Sequence, residues 1–577
     1  MTTTTATDAG APTDRAGLDA ALRELGAGEK RWAKMPLAVR ATLLRRTHAS
    51  IARTAPQWAM AAGRIKGLDP ASPLMGEEWI TGPYAAMITV AQLADTLADL
   101  AARRSPLARA KFGAAPGKRV TVRVMPSSAY ESVLLHGFRA DVWLRPGVAA
   151  STARTRAGLA QLHPHRTQGV ALVLGAGNIT SIALLDAVYE LIAHNRVVLL
   201  KLNPVMDEMF SVLQPALAPL IEAGVLRIVR GGAEAGAYLT QHPDIAHIHI
   251  TGSARTHDAI VYGPGEDGHA RKAAGTPILT KPITSELGGV SPVIVVPGAW
   301  TREDLRYQAE HIATMRLHNG GFNCIAGQLV IVSRDWALKD AFLAQLRHAL
   351  DRAPARLAWY PGADERVASA SATYPDATRV GESGERLLVG IGDGADATPL
   401  QSTEYFAPVL GVREVAGTGQ EFLDAAVDLA NNELDGTLGA NILISPRERR
   451  TLGAGFETAL AALRYGTIGI NAWTGVGFNT AAVPWGAFPG HTLDDIQSGL
   501  GVVHNALLID ATERTVVTGP FRPFPRSLAH GHFALFPLPP WFVTNRRAAE
   551  TGRLLAAYAV RPSWRRILRV FLSAVRA

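Results

Sequence analysis

The stretch Val170-Ala-Leu-Val-Leu-Gly-Ala-Gly-Asn178 decides the fold of the first half of the chain. Its continuous apolar run ends in a glycine turn, which is followed by a helix-like segment from Ser181 to Ala193 and a second apolar run from Val197 to Leu200. This order predicts a βαβ unit of parallel sheet, because strands covered by helices on both faces are apolar throughout. Ligands of such sheets bind beyond the carboxyl ends of the strands, where Asn178 and Lys201 fall.

Further apolar runs extend this pattern to two doubly wound α/β blocks. Val225–Val229 and Ile245–Ile250 continue the first block, and Val293–Val296 and Leu329–Val332 belong to a second block between 291 and about 471. Before them, apolar residues at helical spacing from Leu18 to Ile65 predict helices with Pro36 and Pro56 as breaks. Arg119 to Met125 alternates with period two and predicts a half-buried strand.

Composition indicates a globular protein. The chain has 577 residues, of which 47% are hydrophobic and 19% are charged, and this length allows two or three domains. A single cysteine cannot form an internal disulfide, which fits a reducing, cytoplasmic compartment. The first residues have neither a basic region nor an apolar region of the signal-peptide kind. We expect residues 1–15 to be a disordered tail.

The positive charge is confined to the last part of the chain. The net charge is +8, but residues 521–577 hold ten Arg and one acidic residue, Glu550, so this segment carries +9 and the first 520 residues carry about −1. The body has no stretch in which basic and aromatic residues interleave as in a strand-binding groove. We therefore expect no nucleic-acid partner.

Cys324 is a candidate nucleophile. A lone cysteine is ordinarily a buried, inert hydrophobe, but Gly320, Gly321 and Asn323 surround this one with small and polar residues. Such a junction permits the close backbone approach that a nucleophile needs. If a helix begins near Cys324, its dipole would favour the thiolate.

Three other positions have both an ordinary and a functional interpretation. Glu286 is either a solvated acid in a turn or a general base, Asn178 is either a turn or helix-cap residue or an oxyanion donor, and Lys201 is either a surface lysine or a ligand of ribose or phosphate. Histidine pairs such as His247 and His249 lack the cysteines or carboxylates that would complete a metal set, so we expect no metal.

These residues together resemble the aldehyde dehydrogenase superfamily over most of residues 20–520. Seven motifs occur in the family's order, which is hard to obtain by accident. They are Gly175-Ala-Gly-Asn178, Leu200-Lys201, Ile250-Thr-Gly-Ser253, Glu286-Leu-Gly-Gly289, Asn323-Cys324, Thr403-Glu-Tyr-Phe-Ala-Pro-Val409 and Pro484-Trp-Gly-Ala-Phe488.

The resemblance implies a covalent mechanism. Cys324 would attack the aldehyde, the Asn178 amide and the cysteine's own N–H would hold the oxyanion, and hydride would leave to a nicotinamide. Glu286 would then activate the water that hydrolyses the thioester.

The resemblance also implies a site for NAD or NADP. Lys201 would bind the adenosine ribose, Gly252 and Ser253 would lie near the pyrophosphate, and Glu404 with Phe406 would bind the nicotinamide ribose. Leu287 and Gly288 complete the implied cofactor set. Pro204 stands where many members carry the acid that binds the 2′-hydroxyl of NAD, so the choice between the two cofactors is open.

Other departures from the family pattern concern the pocket. Ala176-Gly177 replaces the usual Pro-Trp before the asparagine, and glycine there is similar to the fatty acyl reductase branch of the superfamily. Ala407 stands where glycine is common, and residues 262–281 form a longer segment than usual.

The implied architecture is α/β and aldehyde dehydrogenase-like, with two doubly wound parallel-sheet domains, an oligomerisation arm and a C-terminal helical extension. Residues 16–285 would form mainly the dinucleotide-binding domain, with an oligomerisation hairpin within about 118–165. Residues 286–483 would form the catalytic domain, and 484–520 would return to the cofactor domain and supply an oligomerisation strand. The family commonly forms dimers or tetramers through an exchanged strand, which predicts a homo-oligomer.

Residues 521–577 form a basic amphipathic extension. Its last part, from Trp564 to Arg576, places apolar residues on one helical face and most arginines off it, while the Pro-rich segment from Phe533 to Val543 cannot be a helix. Such a helix either docks on the protein itself or lies in a membrane interface, at the inner face of the membrane; it is too short and too charged to span one.

These features predict NAD(P)-dependent oxidation of an aldehyde to a carboxylate, and the apolar extension favours a hydrophobic or long-chain aldehyde. Two alternatives stay open. One is an acyl-thioester reductase that works in the reverse direction, which the glycine turn favours and Glu286 disfavours. The other is a non-catalytic scaffold with a dehydrogenase fold that is recruited to membranes.

Overall fold

Two β-sheets and their covering helices make up the computed structural model, which describes residues 12–392 and 394–576. The expected disordered tail, residues 1–15, falls largely on residues outside this range, and the first helix begins at Arg15. The helices are α1 (Arg15–Lys34), α2 (Leu37–Ile65), α3 (Met75–Trp79), α4 (Ala85–Ala101), α5 (Ala129–Leu134), α6 (Ala150–Arg156), α7 (Ile182–Ala193), α8 (Phe210–Ala216), α9 (Ala218–Glu222), α10 (Ala233–Gln241), α11 (Ala254–Tyr262), α12 (Gly265–Ala273), α13 (Arg302–Leu317), α14 (Lys339–Arg352), α15 (Ala363–Thr373), α16 (Thr398–Ser402), α17 (Gly419–Asn432), α18 (Pro446–Leu452), α19 (Ala454–Ala462), α20 (Gly475–Phe478), α21 (Arg526–Ala529), α22 (Ala548–Val560) and α23 (Trp564–Ala574).

The strands divide between the two sheets. They are β1 (Lys111–Ala115), β2 (Arg119–Met125), β3 (Arg139–Leu144), β4 (Val170–Leu174), β5 (Val197–Lys201), β6 (Leu226–Val229), β7 (Ile245–Gly252), β8 (Ile283–Leu287), β9 (Ser291–Val295), β10 (Gly327–Ser333), β11 (Thr378–Val380), β12 (Arg386–Ile391), β13 (Val409–Val415), β14 (Gly439–Leu443), β15 (Thr467–Ile470), β16 (Gly499–Leu500) and β17 (Thr512–Thr518). Short 3-10 segments lie at Leu159–Leu162, Pro204–Met209 and His318–Gly321, and a π-helical turn lies at Ile80–Tyr84.

The smaller sheet confirms the βαβ prediction. Its order is β16-β8-β7-β4-β5-β6, with β4 parallel to both β5 and β7. Every residue of α7 is buried, as expected of a helix that is apolar around its circumference and packs between a sheet and further helices. The α2 and α4 helices cover the same face and contribute Trp58 and Leu93 to the core.

The N-terminal helices confirm the helical prediction, but the break expected at Pro56 is wrong. Pro36 ends one helix and caps the next, whereas Pro56 lies inside α2, which continues to Ile65. Trp58, Ala59 and Ala62 beyond it are fully buried. Packing of this last part of α2 offsets the one backbone hydrogen bond that the proline removes.

The larger sheet carries the second α/β block and extends into an arm. Its eleven strands run β1-β2-β3-β17-β15-β14-β9-β10-β13-β12-β11. The central strands β9, β10, β14 and β15 are parallel and completely buried. The hairpin β2–β3 joins this sheet through β17, which pairs antiparallel with β3 and parallel with β15 of the same chain.

The C-terminal extension docks on the body of the protein. Arg522 and Arg526 pair with Asp304 at the start of α13, and the Phe542 ring stacks on the rings of Tyr307 and His311, with centroids 5.4 and 5.2 Å apart. The predicted terminal helix is confirmed as α23. In the part of the chain that the structure describes, none of the helices has the length and apolar character needed to cross a bilayer.

Candidate active site

Cys324 lies in a turn between α13 and β10. The chain leaves α13 through His318–Gly321, where Asn319, Gly320 and Gly321 have φ angles of 56°, 71° and 86°. A Cβ at Gly321 would lie 3.1 Å from the Arg316 carbonyl oxygen, so the close approach also requires glycine there. The hypothesis of a helix beginning at Cys324 is wrong, because the residues after it form a turn and then β10. The thiolate is therefore not stabilised by the dipole of a helix that begins at Cys324.

The Cys324 thiol is half-buried and lies beside the Glu286 carboxyl group. Burial raises the pKa of the thiol well above its usual value, and the charges of Glu286 and Glu404 raise it further. Burial also raises the pKa of Glu286 to about 7, against the lowering effect of the Trp485 indole N–H, which donates to Glu286 Oε1 at 2.9 Å. A carboxyl group with a pKa near 7 is suited to accept a proton at neutral pH.

Asn178 is held against the same turn from the other domain. It follows β4, and its Nδ2 donates to the carbonyl oxygen of Phe322, two residues before Cys324, at 3.0 Å. Asn319 donates to both the Asn178 and the Phe322 carbonyl oxygens at 3.1 and 3.0 Å. The Asn178 amide group has two N–H donors, so one remains after the bond to Phe322.

Glu404 lies against the Glu-Leu-Gly-Gly turn. A Cβ at Gly288 would lie 1.9 Å from Glu404 Oε1, and the backbone N–H of Gly289 hydrogen-bonds this carboxyl group. The pKa of Glu404 is raised to about 8 by burial and by the charge of Glu286, against the lowering effect of Arg316. Within residues 12–392 and 394–576, Oε1 of Glu404 has no hydrogen-bond partner. Leu287, the last residue of β8, is buried.

Phe406 adopts φ of 45° and belongs to an aromatic group beside the cysteine turn. Its ring lies 5.9 Å from Phe322 and 5.0 Å from Tyr360, and Tyr360 stacks on Phe322 at 5.6 Å. Arg366 donates to the Phe406 carbonyl oxygen at 3.3 Å. The three rings connect the segment that holds Glu404 to the segment that holds Cys324.

Lys201 ends β5 and is buried rather than solvent-exposed, with 7% of its surface accessible. Among the residues that the structure describes, its ammonium group donates to the Leu202 carbonyl oxygen alone, at 3.3 Å, and burial lowers its pKa. The charge of Asp207 acts on it in the opposite direction. In the described chain Asp207 Oδ1 is buried without a hydrogen-bond partner. This lysine and this acid fit the hydroxyl groups of a ribose, which would supply the missing partners.

Gly252 and Ser253 lie at the end of β7, where α11 begins. The Ser253 side chain accepts a hydrogen bond from the Thr256 N–H at 3.2 Å and caps the helix. The remaining N–H groups of the first turn point away from the helix and favour an anion such as a pyrophosphate. Together with Lys201 and Glu404, these positions fit a dinucleotide laid along the carboxyl ends of the strands.

Sequence reasoning missed several neighbours of the site. The motif Pro484-Trp-Gly-Ala-Phe488 gives no role to Trp485, although its indole N–H donates to Glu286. Asn203 lies against Gly177, where a Cβ would come within 2.8 Å of its side chain, so this asparagine occupies the space that the departure from Pro-Trp leaves. The sequence feature that could have indicated this contact is Gly177, because a glycine often stands where another group approaches the backbone closely.

A buried ionic cluster contacts the turn that holds Cys324. Lys66 pairs with Glu78 at 2.9 Å, with both side chains fully buried, and Arg356 pairs with Glu77 and lies 3.7 Å from Glu78. Glu77 also accepts the backbone N–H of Asn319 at 3.0 Å. The cluster therefore fixes the left-handed start of the turn that presents Cys324.

Comparison with known proteins agrees with this arrangement. Residues 148–358 match the model of the Aldehyde dehydrogenase family. Solved structures with the same fold include an indole-3-acetaldehyde dehydrogenase with NAD+, which is 18% identical over 88% of this chain and 90% of that one with a TM-score of 0.57. Another is gamma-glutamyl-gamma-aminobutyraldehyde dehydrogenase from Burkholderia cenocepacia J2315, at 20% identity, the same coverage and a TM-score of 0.58. A third is a mutant of aldehyde dehydrogenase C from Pseudomonas syringae with NAD+ and octanal, at 20% identity, 88% and 89% coverage and a TM-score of 0.57.

The match covers the stretch that holds Asn178, Lys201, Glu286 and Cys324, and the shared architecture extends over nearly nine-tenths of the chain. The two findings agree with the motif series and with the two parallel-sheet domains. Residues 148–358 therefore match the Aldehyde dehydrogenase family, and the chain shares the fold of the solved aldehyde dehydrogenases.

Proposed function

We propose that this protein oxidises an aldehyde to a carboxylate with NAD or NADP, through a thiohemiacetal and a thioester on Cys324. The observation that carries the proposal is the placement of the Cys324 thiol beside Glu286, a buried acid whose pKa is raised to about 7. A thiol with a raised pKa is a weak nucleophile until a nearby base removes its proton. Glu286 is placed to do this.

In the first half-reaction, Glu286 accepts the thiol proton as sulfur adds to the carbonyl carbon. The backbone N–H of Cys324 and the remaining N–H of the Asn178 amide stabilise the oxyanion that forms. Lys201 and Glu404 would hold the two riboses of a bound NAD or NADP, which would supply an acceptor for the hydride that leaves this carbon.

In the second half-reaction, Glu286 first loses its proton to solvent and then takes one from water. The hydroxide adds to the thioester carbon, the oxyanion site is used again, and the Cys324 thiolate leaves as the carboxylate product forms. Trp485 holds the Glu286 carboxylate while it changes roles. A fixed acid beside the sulfur supports oxidation over the reverse, acyl-thioester reducing direction, which needs no activated water.

The test is turnover by the full chain with short and long aldehydes and with each cofactor, next to an arm that contains acyl-CoA and reduced cofactor. We expect aldehyde-dependent reduction of the cofactor that is lost in the Cys324→Ala variant. Equal turnover by this variant, or activity only in the acyl-CoA arm, would contradict the proposal. Light scattering of the same sample measures whether the expected dimer or tetramer forms.

We also propose that the extension binds an anionic membrane surface. The outer face of α23 exposes a line of apolar side chains, Trp564, Leu568 and Leu572, with 54%, 58% and 48% of their surface accessible. Arg565 and Arg569 flank this line. An apolar line bordered by cations complements the interface of a bilayer that contains anionic lipid.

Flotation with vesicles of phosphatidylglycerol and of phosphatidylcholine tests this second proposal. We expect the full chain to float with the anionic vesicles and the Leu568→Glu/Leu572→Glu variant to remain at the bottom. Equal flotation of both proteins, or self-association through this face in place of lipid binding, would refute it.

A further inference from the structure

A file of polar side chains lies between α7 and the strands β7 and β8. Residues four positions apart on a helix share a face, as do alternate residues on a strand, so the members from each element point the same way. The members of this polar file are Asp186 and Glu190 of α7, His194 directly after α7, His247, His249 and Thr251 of β7, and Thr284 and Glu286 of β8. Parallel strands under helices are otherwise apolar on both faces. A buried polar face in this position is costly unless its groups find partners or serve a function.

The inner end of the polar file reaches the base of the active site. Thr251 and Glu286 are partners in the parallel pairing of β7 with β8, so their side chains are neighbours on one face of the sheet. The Thr251 hydroxyl group donates to Asp186 Oδ2 at 2.7 Å, and Oδ1 of this acid is buried with no partner among the described residues. Burial is the main cause of the raised pKa of Glu286, but the charge of Asp186 also raises it and that of His249 lowers it. Glu286 is therefore close enough to the polar file to respond to its charges.

The middle of the polar file is joined by short contacts. His249 Nε2 lies 3.6 Å from Asp186 Oδ2, and His249 Nδ1 lies 2.9 Å from Thr284 Oγ1. The same Thr284 oxygen lies 3.0 Å from His247 Nε2. An imidazole can accept a proton at one nitrogen and release one from the other, and a hydroxyl group can accept one proton while it donates another. These groups can therefore pass a proton from Asp186 to His247.

The outer end of the polar file opens to solvent at His194. Glu190 Oε1 lies 3.8 Å from His247 Nε2 and 4.0 Å from His194 Nε2. Arg196 donates to the other oxygen of Glu190 at 2.8 Å, so a small rotation of the carboxyl group about this contact brings Oε1 within hydrogen-bonding distance of either ring. The two rings are inclined by 31°, with centroids 6.4 Å apart. The His194 side chain is 32% accessible, against 2% for Glu190.

The charges along the polar file are balanced. Burial lowers the pKa of His247 to about 4, and it does the same to His504, which senses the charge of Asp186. Burial opposes a charge on His249, but the adjacent Asp186 raises its pKa. Burial acts to raise the pKa of Glu190, but the histidines and the arginine around it lower it. A proton that enters the file therefore meets acids beside imidazoles and neutral rings with a free lone pair, which avoids an isolated buried charge.

We propose that the polar file conducts the proton of Glu286 to solvent between the two half-reactions. The inference rests on the function proposed above, in which Glu286 takes the thiol proton and must lose it before it activates water. At each step one O–H or N–H bond breaks as the next one forms, no electrons are transferred, and each carrier ends with the number of hydrogens that it had before. The order of carriers is Glu286, Thr251, Asp186, His249, Thr284, His247, Glu190, His194 and then a water or buffer base in solvent. The members beyond Glu286 act on the reaction only through that acid.

His247→Gln tests the middle of the polar file, because glutamine keeps a hydrogen-bonding side chain but has no site that titrates. In the full-length protein we expect kcat to fall about tenfold or more and kcat/KM to stay within about twofold, since hydride transfer precedes the loss of the proton. A pH indicator in stopped flow should show proton release that lags behind the first turnover of cofactor reduction, whereas the two coincide in the unchanged protein. His311→Gln, at an equally buried ring on α13 outside the file, should change neither measurement. Coincident proton release in His247→Gln, or equal losses in kcat and kcat/KM, would overturn the proposal.

Chemical rescue tests the outer end. His194→Ala leaves an opening to solvent beside Glu190, and we expect kcat to fall about fivefold and to recover when imidazole is added to the buffer, because the free base takes the place of the lost ring. The same addition should not restore His247→Gln, whose lost ring is buried. A His194→Ala variant that imidazole does not restore, or equal restoration of the two variants, would refute this path.

An activated ester separates the fate of this inference from that of the proposed function. Thiol attack on p-nitrophenyl acetate forms a thioester, releases p-nitrophenolate and leaves the thiol proton on Glu286, with no cofactor involved. We expect His247→Gln to keep the initial burst of p-nitrophenolate and to slow the steady rate that follows. If no aldehyde is oxidised but this result is found, the proton path holds and the proposed oxidation fails. If aldehyde is oxidised and His247→Gln slows neither reaction, the path is wrong and the oxidation stands; absence of both reactions in the unchanged protein overturns both.

Discussion

Replacing Trp485 by Phe should move the pH dependence of the reaction. The indole N–H is a single hydrogen bond of 2.9 Å to the buried Glu286 carboxylate and lowers its pKa. A hydrogen bond to a charged group contributes about 1.5–3 kcal/mol, and one pKa unit corresponds to about 1.4 kcal/mol. Removing it should therefore raise the pKa of Glu286 from about 7 by about one to two units.

The sign of the effect on rate follows from the role of Glu286 as a base. Only its ionised form accepts a proton, so kcat/KM should rise with pH through the pKa of the group and level off above it. The Trp485→Phe variant should reach half of its plateau at a pH one to two units higher than the unchanged protein. At neutral pH its rate should fall about 5- to 50-fold and should recover in alkaline buffer.

The assay is kcat/KM for one aldehyde at saturating cofactor, measured in steps between pH 5.5 and 10, with thermal unfolding followed at each pH. Trp32→Phe is a matched control, because Trp32 is equally buried and its indole N–H donates to a neutral group, Asn195 Oδ1, at 2.8 Å. We expect it to lower stability without moving the profile. A Trp485→Phe profile that drops uniformly with an unchanged midpoint would refute the assignment of Glu286 as the titrating base.

Three further changes test separate parts of the structure. Asn178→Ala should lower kcat about 10²- to 10³-fold with little change in unfolding temperature, since it removes one oxyanion donor; steady-state kinetics measures this, and a change in KM alone would contradict it. Lys66→Met leaves the Glu78 carboxylate buried without its closest cation and should cost about 3–5 kcal/mol of unfolding free energy in urea, much of which the added change Glu78→Gln should restore. Asp207→Ala removes an acid that influences Lys201 and should lower kcat/KM with NAD more than with NADP, by about tenfold; an equal loss with both would exclude a role at the 2′-hydroxyl.

The sheets could be predicted from sequence because their determinants are local. Val170–Leu174 and Val197–Lys201 are buried on both faces, so a continuous apolar run and the glycine turn between strand and helix were sufficient. The motif order predicts one site for Asn178, Glu286 and Cys324; in the structure Asn178 donates to the Phe322 carbonyl oxygen, and Glu286 lies beside the thiol. Each of these three residues lies near the end of a strand, so the direction of that strand determines at which edge of the sheet the residue lies.

What the sequence did not reveal depends on contacts between distant segments. Pro56 looked like a helix end because its local propensity is unfavourable, and only the burial of Trp58 against Thr180 shows why the helix continues. His318 and Trp473 are separated by more than 150 positions, and nothing in the sequence around either one indicates that their rings pack against each other. The sequence of α23 likewise does not show which of its apolar residues are buried and which are exposed.

The environments of the two acids in the site decide which one acts as the base. Burial raises the pKa of both Glu286 and Glu404, and each charge opposes ionisation of the other, so the pair holds less than two negative charges near neutral pH. Glu286 receives the Trp485 indole N–H, whereas Oε1 of Glu404 has no donor among the described residues. The first charge therefore forms on Glu286, next to the sulfur. A ribose hydroxyl that donates to Glu404 would lower the pKa of Glu404 and favour a second negative charge, on that carboxyl group. This charge would make Glu286 a stronger base toward the thiol and toward water. The effect would arise only after the cofactor has bound.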